Sequence, residues 1–482
     1  MTCEPMPTLA EYPFLKVLQD LARRKKIEIF LVGGFLRDGL LRRGGYDFDF
    51  AVKKGAIPLA RLFAKTIKGA FVLLDEERGC GRVAKRHNGV IETYDFADFR
   101  APTLEQDLLH RDFTINTLTA KVNDFSLDAE ITKNIYDPRG GAKDLKARCL
   151  RMVSAKAFRE DPLRLLRAYS LRAQLDLRIE QKTLRQIKKD KDLLRRVARE
   201  RVLDEFFKVL ESERAAENLR AMDKIGLLEN IISQVAVMYG VTQGGYHHLD
   251  VWPHSLEAVS QLENIFQEHA KDAEIVEYLS EPLAGRRTRR ALLKLATLLH
   301  DIGKPQTRKK EDGRMSFHGH EHVGKGIARP IAKLLKLSSR ERMILEDTVQ
   351  WHLRPGYLSN FKNPSERAYF RYFRDTKDEG AAIALLSLAD QRSTRGPLTT
   401  GEDQRHHEKI CRELLKRFFE MKKAKPFVPL LNGHDLIKKL GLKPSPLFGK
   451  ILKEAEEAQA TGKVTTKEEA LELARKIAAK GD

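Results

Sequence analysis

The chain has 482 residues, too many for one hydrophobic core, so length alone points to about three domains. Lys and Arg outnumber Asp and Glu by 88 to 68, a formal charge of +20 that favours a polyanionic partner. A hydrophobic share of 42% with 31 Gly and 18 Pro excludes collagen-like, low-complexity and wholly disordered classes. No run approaches the ~18 apolar residues of a membrane span, so no membrane partner is expected. The opening MTCEPMPTLAEYPF lacks a basic stretch ahead of an apolar one, so the chain reads as cytoplasmic. Cys3, Cys80, Cys149 and Cys411 are scattered without a CxxC pair, which fits a reducing compartment.

From about Ile27 to Ile135 short β-rich runs (IEIFLV, YDFDFAV, AFVLLD, VIETYDFA) alternate with segments of helical period, predicting a sheet-containing head over residues 1–150. Beyond it the strand signals stop, and long patterns such as DPLRLLRAYSLRAQL and RRALLKLATLLHDIG repeat apolar residues at helical spacing. The rest therefore reads as all-helical, divided near residues 238 and 400 into segments 151–238, 239–400 and 401–482. Gly240–Gly245, Leu283–Arg290, Lys304–Ser316 and Lys425–Pro429 read as loops. No internal repeat stands out.

In the head, the β-run Ile29–Val32 leads into Gly33-Gly34 and then into FLRDGLL, a strand–turn–helix passage whose bare backbone N–H groups suit phosphate. The next strand carries Asp47 and Asp49 two apart, so both carboxylates leave one sheet face and can hold one or two divalent ions, while Phe48 and Phe50 face the core. In HRDFTIN, Arg111 and Asp112 open a helical segment; the Arg can meet a triphosphate, and the Asp can accept from a ribose hydroxyl or cap the helix. Asn116 can bond nucleotide or backbone. Asp161 and Arg164, three apart on one helix, can present an acceptor and a forked donor to a base edge; the bland alternative is a helical ion pair worth ~0.3–0.5 kcal/mol. The helical middle holds His254, His300-Asp301, His320, His352 and Asp390, donors that suit a transition-metal or Mg site, with His247 and His248 as weaker candidates.

These motifs resemble the class II tRNA nucleotidyltransferases, the CCA-adding enzymes, together with bacterial poly(A) polymerases. LVGGFLRDGLLRRGGYDFDFAV is similar to their first motif, HRDFTINTLTA to RRDFTINA, FREDPLRLLRA to the EDxxR nucleotide-recognition helix and RERVLDEFFKVL to the helix after it. GVTQGGYHHLDVWPHSLEAV and LLHDIGKP resemble the HD domain that many bacterial members append, and LNGHDLIKKLGLKPSP their C-terminal segment. The chain departs at His110 where Arg is usual, at Thr117 for Ala and at Ser445 for Gly.

The resemblance implies an α+β architecture, a nucleotidyltransferase head with a small mixed sheet followed by a long all-helical body including an HD domain. Segment 151–238 is then a nucleotide-recognition neck and 401–482 a C-terminal RNA-binding segment. It further implies attack of a tRNA 3′-hydroxyl on CTP or ATP, with Mg²⁺ held by Asp47 and Asp49. Asp95 becomes the third carboxylate, with Glu92 an open alternative because the strand phase is unclear. Gly33, Gly34, Arg37, Arg111, Asp112, Asn116, Asp161, Arg164 and Arg167 form the nucleotide-binding set, Asp161 and Arg164 templating the base. His254, His300, Asp301 and Asp390 match HD metal ligands, and His320 and His352 the second-metal positions of some members, for Mg, Mn, Ni, Co or Fe. The basic runs RRKK (23 to 26), KKDKDLLRRVARER, GRRTRR (285 to 290) and RKK (308 to 310) can track RNA phosphates. A poly(A) polymerase is the close rival, although VLLDEERGCGRVAKRH lacks its basic GRRF-like run; an HD phosphohydrolase with a degenerate head and a non-catalytic RNA chaperone are the rivals from other classes. Which of the CCA nucleotides are added and the oligomeric state are not legible.

Overall fold

A computed structural model describes residues 11–126, 130–311, 314–424 and 427–479. Cys3, most of the N-terminal stretch and the Lys425-Pro426 part of one expected loop lie outside the described residues. The chain divides into two compact units, one of Met1–Phe206 with Lys224–Asn230 and one of Phe207–Asp223 with Ile231–Asp482. Among the described residues no helix is long and apolar enough to cross a membrane.

The first unit is built on six strands, β1 (Ile29–Val32), β2 (Asp47–Val52), β3 (Ala70–Asp75), β4 (Cys80–His87), β5 (Val90–Asp98) and β6 (Thr119–Lys121), in the order β3-β4-β5-β2-β1-β6. All neighbours are antiparallel except β2 and β5, which run parallel with Asp49 beside Asp95. The alternation in DFDFAV works as a period-two strand should: Phe48 and Phe50 are buried while Asp47 and Asp49 face outward. On the buried side Phe48 stacks on Tyr94 at 5.0 Å and Phe50 on Phe96 at 5.0 Å. The helices Pro13–Lys25 and Ala56–Ile67 close over these rings with Leu15, Leu18 and Ala22 and with Leu59, Phe63 and Ala64. One sheet face is therefore dry, and the acidic pair lies on the other.

The body is largely helical, but not wholly. Cys149–Leu150 pairs with Arg178–Ile179, Pro282–Ala284 with Arg287–Thr288, and Lys309–Glu311 with Arg314–Ser316. Two expected loops thus contain small hairpins, whose pairing partners lie too close in sequence and are too short to give a periodic signal. In the second unit the helix Val251–Glu268 packs on Gly380–Ser393, and Arg289–Leu299 on Ser339–Trp351. The helices Gly433–Leu440, Pro446–Ala460 and Lys467–Ala478 form a small satellite core around Leu436, Ile451, Ala470 and Ala474. Glu457 of this group receives Arg367, Arg371 and Arg374 from the helix Glu366–Thr376.

Because Phe50 is the central ring of the dry face, Phe50→Ala should destabilise the first unit by about 3–5 kcal/mol, the usual cost of an aromatic core truncation. Denaturant unfolding followed by a probe in that unit measures this; a loss below about 1 kcal/mol would contradict the assigned core.

Candidate active sites

Two groups of functional side chains emerge, one in each unit. In the head, β1 ends at Gly33, whose φ of +79° is a left-handed value that a side chain disfavours, and whose N–H bonds Leu118 O at 2.9 Å. A Cβ there would stand 3.4 Å from Arg111 Nη1, so the glycine lets the guanidinium lie against the turn. The helix Gly34–Leu40 follows and aims Arg37 at Asn116, Nη1 to Oδ1 at 2.7 Å, while the rest of its fork holds Asp38.

Strand register decides the third carboxylate. On β5, Glu92, Tyr94 and Phe96 point to the dry face; Glu92 accepts from Tyr94 Oη and lies 3.0 Å from His87. Asp95 points the other way, beside Asp49, so the structure brings Asp47, Asp49 and Asp95 to one face and leaves Glu92 behind it. Asp95 is gripped at 2.7 Å through both oxygens by Arg82 of β4, directly opposite it in register, and Asp47 accepts from Thr93 at 2.5 Å. Burial by the surrounding protein raises the Asp49 carboxyl above its ordinary value, with Arg111 and Arg167 pulling it down and Asp95 and Asp47 pushing it up.

Facing these carboxylates, HRDFTIN is not a helix start: a helix, Leu104–Leu108, ends before it and only a 3-10 turn, Thr114–Asn116, follows. Asp112 is locked inside this turn, accepting from Phe113 N at 2.7 Å and Asn116 Nδ2 at 3.0 Å and pairing with Arg167 at 3.0 Å. Burial alone would raise its pKa, but Arg167 and Asn116 outweigh that and hold it below the ordinary carboxylate value. Arg37, Asn116, Asp112 and Arg167 thereby form one continuous polar chain. Beside it, Arg111 keeps a buried Nε without a hydrogen bond, and burial lowers its pKa.

The expected single helix carrying Asp161 and Arg164 is broken. Ala157–Glu160 is one turn, Asp161 is extended at φ −144° and ψ 100°, and the helix Arg164–Leu175 begins afterwards, because Pro162 disfavours helical geometry in the residue before it. Asp161 acts as a cap, Oδ1 accepting from Leu163 N at 3.2 Å, and its other oxygen takes Arg201 at 2.9 Å. Arg164 is buried and donates to the carbonyls of His110 (2.6 Å), Ala157 (3.1 Å) and Arg111 (3.4 Å), which pins the HRDF turn to the neck. The pair is therefore neither a continuous helical face nor an Asp161–Arg164 ion pair.

In the second unit, His254 comes from the helix Val251–Glu268, His300 and Asp301 follow the apolar helix Arg289–Leu299, His320 opens His320–Leu334, His352 ends Ser339–Trp351, and Asp390 lies in Gly380–Ser393. All six converge. Two sets of potential ligand atoms, from His254, His300 and Asp390 and from Asp301, His320 and His352, lie within 4.8 Å of one another in each set. The head carboxylates are not among the sets that gather so closely among the described residues. Each imidazole is oriented from behind, His300 Nδ1 on Thr297 O, His320 Nδ1 on Phe317 O, His352 Nδ1 on Val349 O, all at 2.7–2.8 Å, and His254 Nδ1 on Ser393 Oγ at 3.1 Å. The Nε2 atoms thus face the centre; those of His320 and His352 are 3.2 Å apart, and that of His300 is buried without a hydrogen bond. Such convergent acceptors behind oriented rings fit a divalent metal pair.

Without a cation at the centre a proton on His300 balances the carboxylates, and a metal bound there would take that proton's place. Burial lowers His352 to about 3 and keeps it neutral; burial works against the charge of His300, but Asp301 and Asp390 raise it to about 10. Asp301 and Asp390 are held well below the carboxylate range, burial being outweighed by the imidazoles and, for Asp301, by Lys304 at 2.7 Å. The site opens into a cavity of about 880 Å³ that His247, Lys304 and Tyr357 help to line. His247 packs edge-on against His254 at 4.8 Å, where burial lowers its pKa to about 3.

Sequence reasoning missed Arg82 and the orienting partners. Lys304, one turn beyond Asp301 in HDIGK, had a legible spacing; Arg82 had none, because only strand register brings it to Asp95.

The sequence profile of the poly A polymerase head domain matches residues 29–151, that of a "Probable RNA and SrmB- binding site of polymerase A" 176–238, the HD domain 251–394 and tRNA nucleotidyltransferase domain 2 residues 420–474. An A-adding tRNA nucleotidyltransferase of Deinococcus radiodurans is 36% identical over 91% of this chain and 93% of its own, and a CC-adding tRNA nucleotidyltransferase of Thermus thermophilus 33% identical over 92% of each. Among solved structures, the apo form of a CCA-adding enzyme superposes with a TM-score of 0.65 at 20% identity, covering 97% of this chain and 94% of its own. The Thermotoga maritima CCA-adding enzyme complexed with tRNA superposes with a TM-score of 0.61 at 20% identity, covering 98% and 95%. The head fold, the HD-bearing helical body and the full-length relatives together make this chain a member of the tRNA nucleotidyltransferase family.

Proposed function

We propose that this chain is a cytoplasmic enzyme that extends tRNA 3′ ends with part of the CCA sequence, either CC from CTP or the terminal A from ATP. The observation that carries the chemistry is the outward acidic face of the parallel β2–β5 pair, opposite Arg111 and the Gly33-Gly34 turn. The partial product is supported by sequence relatives: four that are 30–36% identical over more than nine-tenths of the chain are named A-adding or CC-adding, whereas four named multifunctional CCA protein align with only 64–68% of it.

In this reading the RNA 3′-hydroxyl attacks the α-phosphate and pyrophosphate leaves. Mg²⁺, favoured by all-oxygen donors, would be held by Asp47 and Asp49 with Asp95 adjoining, and supplies charge neutralisation and a lower hydroxyl pKa. Arg111, with a donor to spare, meets the triphosphate beside the bare backbone at Gly33 and Gly34. The Arg37–Asn116–Asp112–Arg167 chain keeps that turn rigid. Three hydrogen bonds to carbonyls leave Arg164 its Nε and one Nη2 proton for a base edge, next to Asp161. The HD set would hold a second pair of divalent ions, from among Mg, Mn, Ni, Co and Fe, for phosphate-ester hydrolysis.

Incubation with tRNA lacking CCA and with tRNA ending in CC, each with CTP and ATP, followed by 3′-end sequencing, tests the product. One substrate should be extended and the other not, and Asp49→Asn should extend neither; synthesis of a whole CCA end overturns the partial reading. Asp161→Ala should relax the choice among CTP, ATP, GTP and UTP by roughly 10- to 100-fold, the worth of a charged hydrogen bond. Arg164→Ala should relax it and also slow every nucleotide, since it releases three carbonyls; unchanged selectivity in both variants removes the pair from base reading. His300→Ala with Asp301→Ala should abolish metal-dependent phosphatase or 2′,3′-cyclic phosphodiesterase turnover and leave tRNA extension within a few-fold of wild type. Retained hydrolysis by that folded variant contradicts the second metal centre.

A further inference from the structure

One row of residues crosses the acidic face of the head sheet. Strand register places Val32 of β1, Asp49 of β2, Asp95 of β5, Arg82 of β4 and Val72 of β3 side by side, in steps of ~4.8 Å. Past Val32 the chain turns into Gly33-Gly34 with Arg111 against it, the side that takes the triphosphate in the function proposed above. Arg82 stands on the other side of the carboxylates. It is held and open at once: Nε and Nη2 donate to Asp95 at 2.7 Å each, two of its five N–H groups. Nη1 takes no partner among the described residues, and the side chain is 44% exposed. The hydrogen bonds to Asp95 raise its pKa, and the charges of Asp47 and Asp49 add to them, so the guanidinium lies within the field of the whole acidic face. Around it the face is low. Ala84 is the next residue on the same side of β4, and its β3 neighbours Ala70 and Val72 are exposed.

In phosphoryl transfer the attacking and leaving oxygens stand roughly in line, on opposite sides of the phosphorus. With pyrophosphate leaving toward Gly33, Gly34 and Arg111, the RNA 3′-hydroxyl has to arrive over the carboxylates from the β5–β4 side. We infer that Arg82 binds the last phosphodiester of the RNA, the one joining its final two nucleotides, and so sets the 3′-hydroxyl over Asp47 and Asp49. Asp95 is then the residue that positions Arg82. A guanidinium already fixed along one edge by a carboxylate offers its remaining fork to a phosphate at little entropic cost. Such a contact reads charge and no base, so it serves any RNA 3′ end. This placement rests on the proposed nucleotide transfer and adds to it the path by which the RNA enters.

The test uses whichever tRNA ending the wild type extends, made also with a methylphosphonate in place of the last phosphodiester, which removes that linkage's charge. The loss of charge should lower the wild-type kcat/KM for RNA roughly 10- to 100-fold, the range of a charged hydrogen bond, and leave the KM for the nucleotide unchanged. Arg82→Gln should lose as much with ordinary RNA and little more with the modified RNA, because both changes remove one contact. Arg82→Lys, which keeps the charge without the fork, should recover part of the loss. A methylphosphonate one linkage upstream should instead multiply with the Arg82→Gln loss. The wild-type comparison needs no variant and so stands even where a substitution impairs folding. A wild type indifferent to the missing charge, or losses that multiply at the last linkage, overturn the role of Arg82 and leave the transfer reading intact. A wild type that extends neither tRNA ending overturns the transfer reading and the role of Arg82 with it.

Discussion

The parallel register of β2 and β5 is the constraint on which the head depends. It sets Asp49 beside Asp95, with Asp47 one step along the same face, and so gathers three carboxylates where like charges repel. Cations answer them from several elements: Arg82 binds both oxygens of Asp95, while Arg111 and Arg167 act on Asp49 from the opposite side. The same strands bury Phe48, Phe50, Tyr94 and Phe96 on the reverse face, so the stability of the unit and the placement of its chemistry come from one alternation.

Polar connections then tie the distant segments to that face. Arg37 from the glycine turn, Asn116 and Asp112 from the HRDFTIN turn and Arg167 from the neck helix satisfy one another in sequence. Arg164 closes the arrangement from below by taking the carbonyls that the broken helix and the HRDF turn leave free. A buried network of this kind is costly when any member is missing, which keeps the turn that would meet the triphosphate in one conformation.

The second unit solves a different problem with different groups. Five helical elements deliver four imidazoles and two carboxylates to one buried point, and backbone carbonyls or a serine hydroxyl fix each ring so that Nε2 faces inward. The all-oxygen carboxylates of the head and the tightly gathered imidazoles and carboxylates of the body are chemically distinct candidate centres.

Much of this was legible in the chain itself. The period-two pattern of DFDFAV placed Asp47 and Asp49 opposite Phe48 and Phe50, the Gly33-Gly34 turn followed from strand and helix signals on either side, and HDIGK marked His300 and Asp301, because all of these are local relations of spacing. What lay between segments was not. The phase of β5, hence Asp95 over Glu92, the grip of Arg82, the capping role of Asp161 and the burial of Arg164 under three carbonyls depend on which residues the fold sets opposite one another, and periodicity along one segment carries no information about register across two. The sequence by itself determined most of the candidate side chains; only the tertiary structure decided which of them are already engaged, because hydrogen-bond partners are chosen by distance in space.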